Sequence, residues 1–318
     1  MADYPKSVHL VEVGPRDGLQ IEQKILSTAD KVRLIEAIAD AGIREIEVGS
    51  FVNPKAVPQM ADTEEVFSAL KPRDGVRYRG LWLNIRGLER ALETKTIAID
   101  GVIHLTASEI FVKRNTNRSI DETFAQVPQW IERFQAAGIK PNSVGVMAAF
   151  GCNFEGDIPV ARVVGMLARL EDMLIEHGSK LNHISLADTM GWGNPRRMKE
   201  MIGAVRTRWP EVGIGLHLHD TRGTAMANAL AALEEGVREF DGSIGGLGGC
   251  PFAGHRGAAG NICTEDLAFL CEEMGIETGI DLDALVATAQ LAESLLGHPL
   301  PGKVMKGGTR TSLARSAS

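Results

Sequence analysis

Cysteine is scarce: Cys152, Cys250, Cys263 and Cys271 are the only four in 318 residues, and no two stand in CxxC spacing. That excludes a zinc site of the usual kind and a disulfide framework, and it fits free thiols in a reducing cytoplasm. A basic surplus is also missing. The 34 Lys and Arg against 41 Asp and Glu leave a net charge of -7, so non-specific binding to nucleic acid has no charge to draw on. No run approaches the ~18 apolar residues of a membrane span, and no membrane partner is expected. The opening MADYPKSVHLVEV has neither the basic, apolar and cleavage-site series of a secretion signal nor the Arg- and Ser-rich character of a transit peptide. No Gly-Lys-Ser/Thr phosphate loop, repeat array or interdomain linker is present. With 44% hydrophobic and 24% charged residues, the profile is that of a soluble, cytoplasmic globular protein.

Short β-branched runs alternate with longer helical patterns, which predicts repeated βα units around a parallel sheet. Strands are expected near Val8–Val13, Glu45–Val48, Tyr78–Leu83, Gly101–Leu105, Ser143–Ala148, His183–Leu186, Gly215–His219 and Glu239–Asp241. In STADKVRLIEAIADAG, Ser27 or Thr28 caps the start of a helix and Gly42 ends it. PVARVVGMLARLEDMLIEHG repeats the pattern, with Pro159 in the first turn and Gly178 past the end. Eight strands in strict alternation give an α/β fold, a (β/α)8 TIM-type barrel with extra C-terminal helices; a doubly wound open sheet is the alternative. One catalytic domain is expected over 1–300, with helices around Glu265–Met274 and Asp281–Leu296. The polar, basic residues 301–318 read as a disordered tail.

The unusual polar residues fall at the expected C-terminal ends of strands, where such barrels carry their chemistry. HLVEVGPRDG ends in Arg16 and Asp17, REIEVGSF carries Glu47, and NHISLADTMG ends in Asp188. GIGLHLHD presents His217 and His219, whose one-residue spacing points both imidazoles the same way from an extended strand. A lone strand histidine is an ordinary core residue; a pair, with carboxylates expected on the same face, makes an open divalent-metal site. All-oxygen and histidine–carboxylate sites suit Mg²⁺ or Mn²⁺ and a histidine-rich one favours Zn²⁺, and spacing does not choose between them.

DGSIGGLGGCPFAGHRGAAGN, from Asp241 to Asn261, is dense in glycine. Such a loop approaches a ligand with bare backbone, and here it carries one thiol, Cys250, and ends in an amide, Asn261. It reads either as a plain flexible loop or as a lid bearing a general acid. Arg16 is either half of a surface ion pair or a cation placed for a developing oxyanion. Glu47 has the same two readings, as a strand-end charge or as a site acid.

VEVGPRDGLQ, SFVNPKAVPQMAD, LADTMGWGNP, LHLHDTRGTAMANALAAL and GLGGCPFA…GNICTEDL together resemble the hydroxymethylglutaryl-CoA lyase family. They occur in that family's order, and the similarity runs from about Val8 to Leu296. The resemblance implies a TIM-type barrel, a divalent cation, Mg²⁺ or Mn²⁺, and cleavage of a 3-hydroxy-3-methylglutaryl thioester into acetyl-CoA and acetoacetate. It places metal ligands on Asp17, His217, His219 and Asn261, the arginine for the thioester carbonyl on Arg16, and the loop thiol on Cys250. It adds active-site acids at Glu47 and Asp188, with substrate contacts at Gln20 and Asn84. Asp17 or His217 serves as the base.

Three departures bear on the acyl group. Ile21 stands where the family carries a polar residue. The segment between Cys250 and Asn261 is longer than usual and adds His255 and Arg256. GLWLNIRG replaces a Thr-Pro-Asn strand end, leaving Asn84 as the matching amide. The alternatives are therefore a lyase for a larger 3-hydroxyacyl-CoA, a Claisen-condensing synthase or aldolase on the same barrel, or a barrel that only binds acyl-CoA. The expected partner is an acyl-CoA thioester, with the chain as a homo-oligomer and a dimer by resemblance.

Overall fold

Strand-forming and helix-forming stretches alternate along the chain, and the computed structural model follows them over its described residues, 4–249 and 260–310. Eight strands form: β1 (His9–Glu12), β2 (Glu45–Ser50), β3 (Arg77–Leu81), β4 (Gly101–Thr106), β5 (Pro141–Met147), β6 (His183–Asp188), β7 (Gly213–Leu218) and β8 (Glu239–Gly242). Every strand expected from the sequence is present, with ends displaced by one or two residues at most, the usual scatter of such boundaries. A helix follows each strand before the next begins, which is the (β/α)8 order.

Over the span 1–300 expected as one domain, contacts group the chain into two compact units. One is built mainly from Ile99–Glu239 and holds β4 to β7, paired in parallel in the order β7-β6-β5-β4. The other holds Lys6–Ala98 and the described residues from Phe240 onward, with strand order β3-β2-β1-β8. In both, alternate strand residues are buried. Val144 and Val146 on β5 and Ile184 and Leu186 on β6 are examples in the first; Ile46 and Val48 on β2 in the second. Residues two apart share one face of a strand, so each of these pairs lines a single face against the core.

Local signals explain the helix ends. Ser27 Oγ accepts the Asp30 N–H at 3.1 Å and caps the helix Thr28–Asp40, and Gly42 follows with φ +103°. The helix Val160–Glu176 differs from expectation in one respect. Pro159 stands at its N-cap, not in its first turn, because its ψ of 137° keeps it extended.

The C-terminal helices Thr264–Glu273 and Leu282–Leu296 fall where the sequence places them. The disordered tail expected at 301–318 is corrected for residues 301–310. Asp266 accepts the N–H groups of Lys303 (3.0 Å) and Val304 (2.7 Å) at the start of a short helix, Val304–Gly307. The Thr309 hydroxyl donates to Asp283, and Leu300 and Met305 are buried. Two acids on preceding helices thus hold a segment whose own composition gives it no core. Residues 311–318 lie outside the described residues. Among the described residues no helix is long and apolar enough to cross a membrane.

Candidate active site

In the unit that contains β1, the chain leaves the strand through one turn of wide helix, Gly14–Gly18, a rare form that recurs at functional sites. The Val13 carbonyl accepts three N–H groups in succession, from Arg16 (3.1 Å), Asp17 (2.7 Å) and Gly18 (3.4 Å). This brings Arg16 and Asp17 out side by side. Arg16 Nε donates to Glu47 Oε2 at 2.5 Å, and its Nη1 donates to Asp17 Oδ1. Burial works against the guanidinium's charge, but Glu47 and Asp17 outweigh it and hold the Arg16 pKa above its ordinary value. Arg16 is a fixed cation.

Asp17 is buried and collects two further donors. Gln20 Nε2 reaches Oδ1 at 2.7 Å, and Asn261 Nδ2 reaches Oδ2 at 2.8 Å. The same Asn261 Nδ2 also donates to the Leu247 carbonyl at 3.2 Å. Its Oδ1 is buried and has no hydrogen-bond partner among the described residues. An unmatched buried carbonyl costs roughly 1–3 kcal/mol. It marks a place where an electropositive group belongs, and the adjoining carboxylate is the donor type that hard divalent cations take.

The unit that contains β7 supplies the imidazoles. His217 Nε2 and His219 Nε2 stand 3.0 Å apart, within hydrogen-bond distance, with ring planes tilted by 50°. The sequence expectation that the pair faces one way is met within this unit. Asp188, at the end of β6, is fully buried and accepts the N–H groups of Trp192 and Gly193, each at 2.8 Å. Burial pushes its pKa up; those two N–H groups, with His219 and Arg222, pull it part of the way back. Asp188 therefore braces the turn after β6.

That turn carries side chains whose arrangement nothing in the sequence marks. The Arg222 guanidinium lies 3.6 Å over the Trp192 ring, donates to the Met190 and Gly191 carbonyls, and leaves the indole 42% exposed. Trp192 Nε1 donates to Asn153 Oδ1 at 2.6 Å. Ala148, just past β5, holds a left-handed φ of 53° and donates its N–H to Thr189 Oγ1 at 2.8 Å. Such backbone strain gathers at functional ends of a fold.

Arg16, Asp17, Gln20, Glu47 and Asn261 are thus brought into one hydrogen-bonded group. Asn84 is not among them. Its Oδ1 accepts the Gly87 N–H at 2.8 Å and caps the helix Ile85–Glu93. Cys250, His255 and Arg256 lie outside the described residues.

The fold order and these donors define a (β/α)8 enzyme with imidazole, carboxylate and amide groups suited to a divalent cation. A family model described as HMGL-like matches residues 7–292, and the chain belongs to that family. It is a lyase-type enzyme. It is 39% identical over 300 residues to a hydroxymethylglutaryl-CoA lyase of Bacillus subtilis, spanning 94% of this chain and 97% of that one. To the mitochondrial hydroxymethylglutaryl-CoA lyase of Homo sapiens it is 41% identical over 304 residues, 96% of this chain and 90% of the relative. A solved HMG-CoA lyase structure from Acinetobacter baumannii, in complex with coenzyme A and 3-methylmalate, superposes with a TM-score of 0.86 at 40% identity and covers 98% of each chain. The TIM-type barrel stands, and the doubly wound alternative falls.

Proposed function

We propose that this chain cleaves 3-hydroxy-3-methylglutaryl-CoA to acetyl-CoA and acetoacetate. The observation that carries the reading is the Asp17 carboxylate, held by Arg16, Gln20 and Asn261 beside an Asn261 Oδ1 that has no hydrogen-bond partner among the described residues. Together with family membership, it supports Asp17, His217, His219 and Asn261 as ligands of a divalent cation, Mg²⁺ or Mn²⁺. When bound, the cation supplies the Lewis acidity that lowers the cost of ionising a tertiary alcohol.

The residues divide the rest of the work. Asp17 or His217 takes the hydroxyl proton. The C2–C3 bond then breaks, and its electron pair passes into the thioester. Charge developing on the thioester oxygen meets Arg16, whose cation Glu47 orients and Asp17 flanks. C3 leaves as the ketone carbon of acetoacetate, and Cys250 returns a proton to C2 to complete acetyl-CoA. Three buried free thiols, Cys152, Cys263 and Cys271, support a reducing compartment and a cytoplasmic setting.

The deciding experiment incubates the full chain and Mn²⁺ with HMG-CoA and with larger 3-hydroxyacyl-CoA thioesters. Release of acetyl-CoA from HMG-CoA is the expected result. Release only from a larger thioester moves the substrate, and release from none overturns the proposal.

A further inference from the structure

Glu12 ends β1, and its side chain is fully buried. Its Oε1 accepts two N–H groups, from Gly14 at 2.7 Å and Ile244 at 2.8 Å. Its Oε2 takes the hydroxyl of Thr264 at 2.6 Å. These partners lie on three separate stretches of chain. Gly14 opens the turn that carries Arg16 and Asp17. Ile244 follows β8 at the head of the glycine-rich segment, and Thr264 begins a helix three residues beyond Asn261. Ser243 joins the last two, donating its N–H to Ile262 and accepting that of Thr264. The fit is tight: a Cβ at Gly14 would stand 2.5 Å from Glu12 Oε1.

Burying a carboxyl group is expensive, and a packed apolar side chain of similar volume avoids that expense. Here burial pushes the Glu12 pKa up to about 8, against the pull of its three hydrogen bonds. The compensation lies in what the group connects. Asp17 and Asn261 are far apart in sequence, each sits on a segment that Glu12 grips, and they meet in a 2.8 Å hydrogen bond.

We infer that Glu12 is a positioning residue, whose carboxyl group locks the Arg16–Asp17 turn against the Asn261 segment so that Asp17 and Asn261 meet in a single geometry. This rests on the reading above that Asp17 and Asn261 hold the cation.

Mn²⁺ titration of the full chain supplies a readout besides turnover. Glu12→Gln can keep all three contacts: its amide oxygen accepts both N–H groups, and its NH₂ donates to Thr264 Oγ1 with the direction of that bond reversed. It should stay within about threefold of wild type in Mn²⁺ affinity and kcat. Glu12→Ala removes all three bonds and should weaken Mn²⁺ binding about tenfold or more, the scale of one buried hydrogen bond left unmade. Its kcat should fall further than its KM rises. A folded Glu12→Ala variant with wild-type Mn²⁺ affinity and kcat overturns the inference, as does Glu12→Gln behaving like Glu12→Ala. If Glu12→Ala does not fold, Thr264 decides: Thr264→Val should weaken Mn²⁺ binding and Thr264→Ser restore it, and equal affinities overturn the inference. Asp17→Ala separates the two levels. If it binds Mn²⁺ like wild type, the ligand assignment itself fails. If it loses Mn²⁺ while Glu12→Ala keeps it, only the role of Glu12 fails.

Discussion

Asn261 Nδ2 donates to Asp17 Oδ2 at 2.8 Å across 244 residues of sequence and ties the two side chains together. Because Nδ2 is committed to Asp17 and to the Leu247 carbonyl, Oδ1 is the atom left without a hydrogen-bond partner among the described residues. Under the proposed ligand assignment, Asn261→Ala removes a ligand and an orienting donor together. Mn²⁺ affinity should drop by about tenfold or more, the scale of one such interaction, and isothermal titration reads it directly. Unchanged affinity would remove Asn261 from the ligand set.

Arg16 is tied to two carboxylates by separate edges of its guanidinium. Arg16→Gln should lower kcat by about 10²–10³, the usual effect of removing an oxyanion donor, with a much smaller change in Mn²⁺ affinity. Arg16→Lys should recover little, because an ammonium group cannot present the planar fork that meets Glu47 and Asp17 together. Steady-state kinetics of the two variants beside Mn²⁺ titration tests both statements.

Cys250→Ala should reduce turnover by about two orders of magnitude or more, within the range for a lost general acid. Mn²⁺ binding should be spared. Full turnover in that variant would remove the thiol from the proton transfer to C2.

Two buried acids should give stability opposite pH dependences. Burial raises Glu265 from an ordinary 4.5 to about 7, with Cys263 and the Gly245 N–H pulling back. The folded state thus keeps a proton that the unfolded chain gives up. This contribution is full below about pH 4.5 and is lost as pH rises through about 7. Glu265→Gln should flatten the decline in urea-unfolding stability over that window.

Glu45 runs the other way. Burial would raise it, but His9 and the guanidinium groups of Arg79 and Arg77 outweigh burial and hold it at about 2. Its contribution is present above about pH 4.5 and is lost as pH falls toward 2. Glu45→Gln should therefore be less stable than wild type at pH 7 and converge with it near pH 2. Parallel stability curves for wild type and variant would contradict the assignment.

The strands were legible because β-branched runs mark them, and the His217–His219 pair because a spacing of two on a strand fixes its direction. Arg16 and Asp17 stood out as charges directly after a strand. The uses of Glu12 and Asp188 were not legible, since both bind mainly backbone N–H groups that every residue except proline carries. Asn84 shows a local signal with two meanings: its bond to the N–H three residues on is the ordinary helix cap. Residues 301–310 look loose by composition, yet Asp266 and Asp283 capture them from distant parts of the sequence.

The three N–H groups gathered on the Val13 carbonyl have a practical consequence. The main chain, independently of the Arg16 and Asp17 side chains, sets the path of that loop. Trimming either side chain should leave a socket with its walls standing, open to a free guanidinium or a small carboxylate from solution.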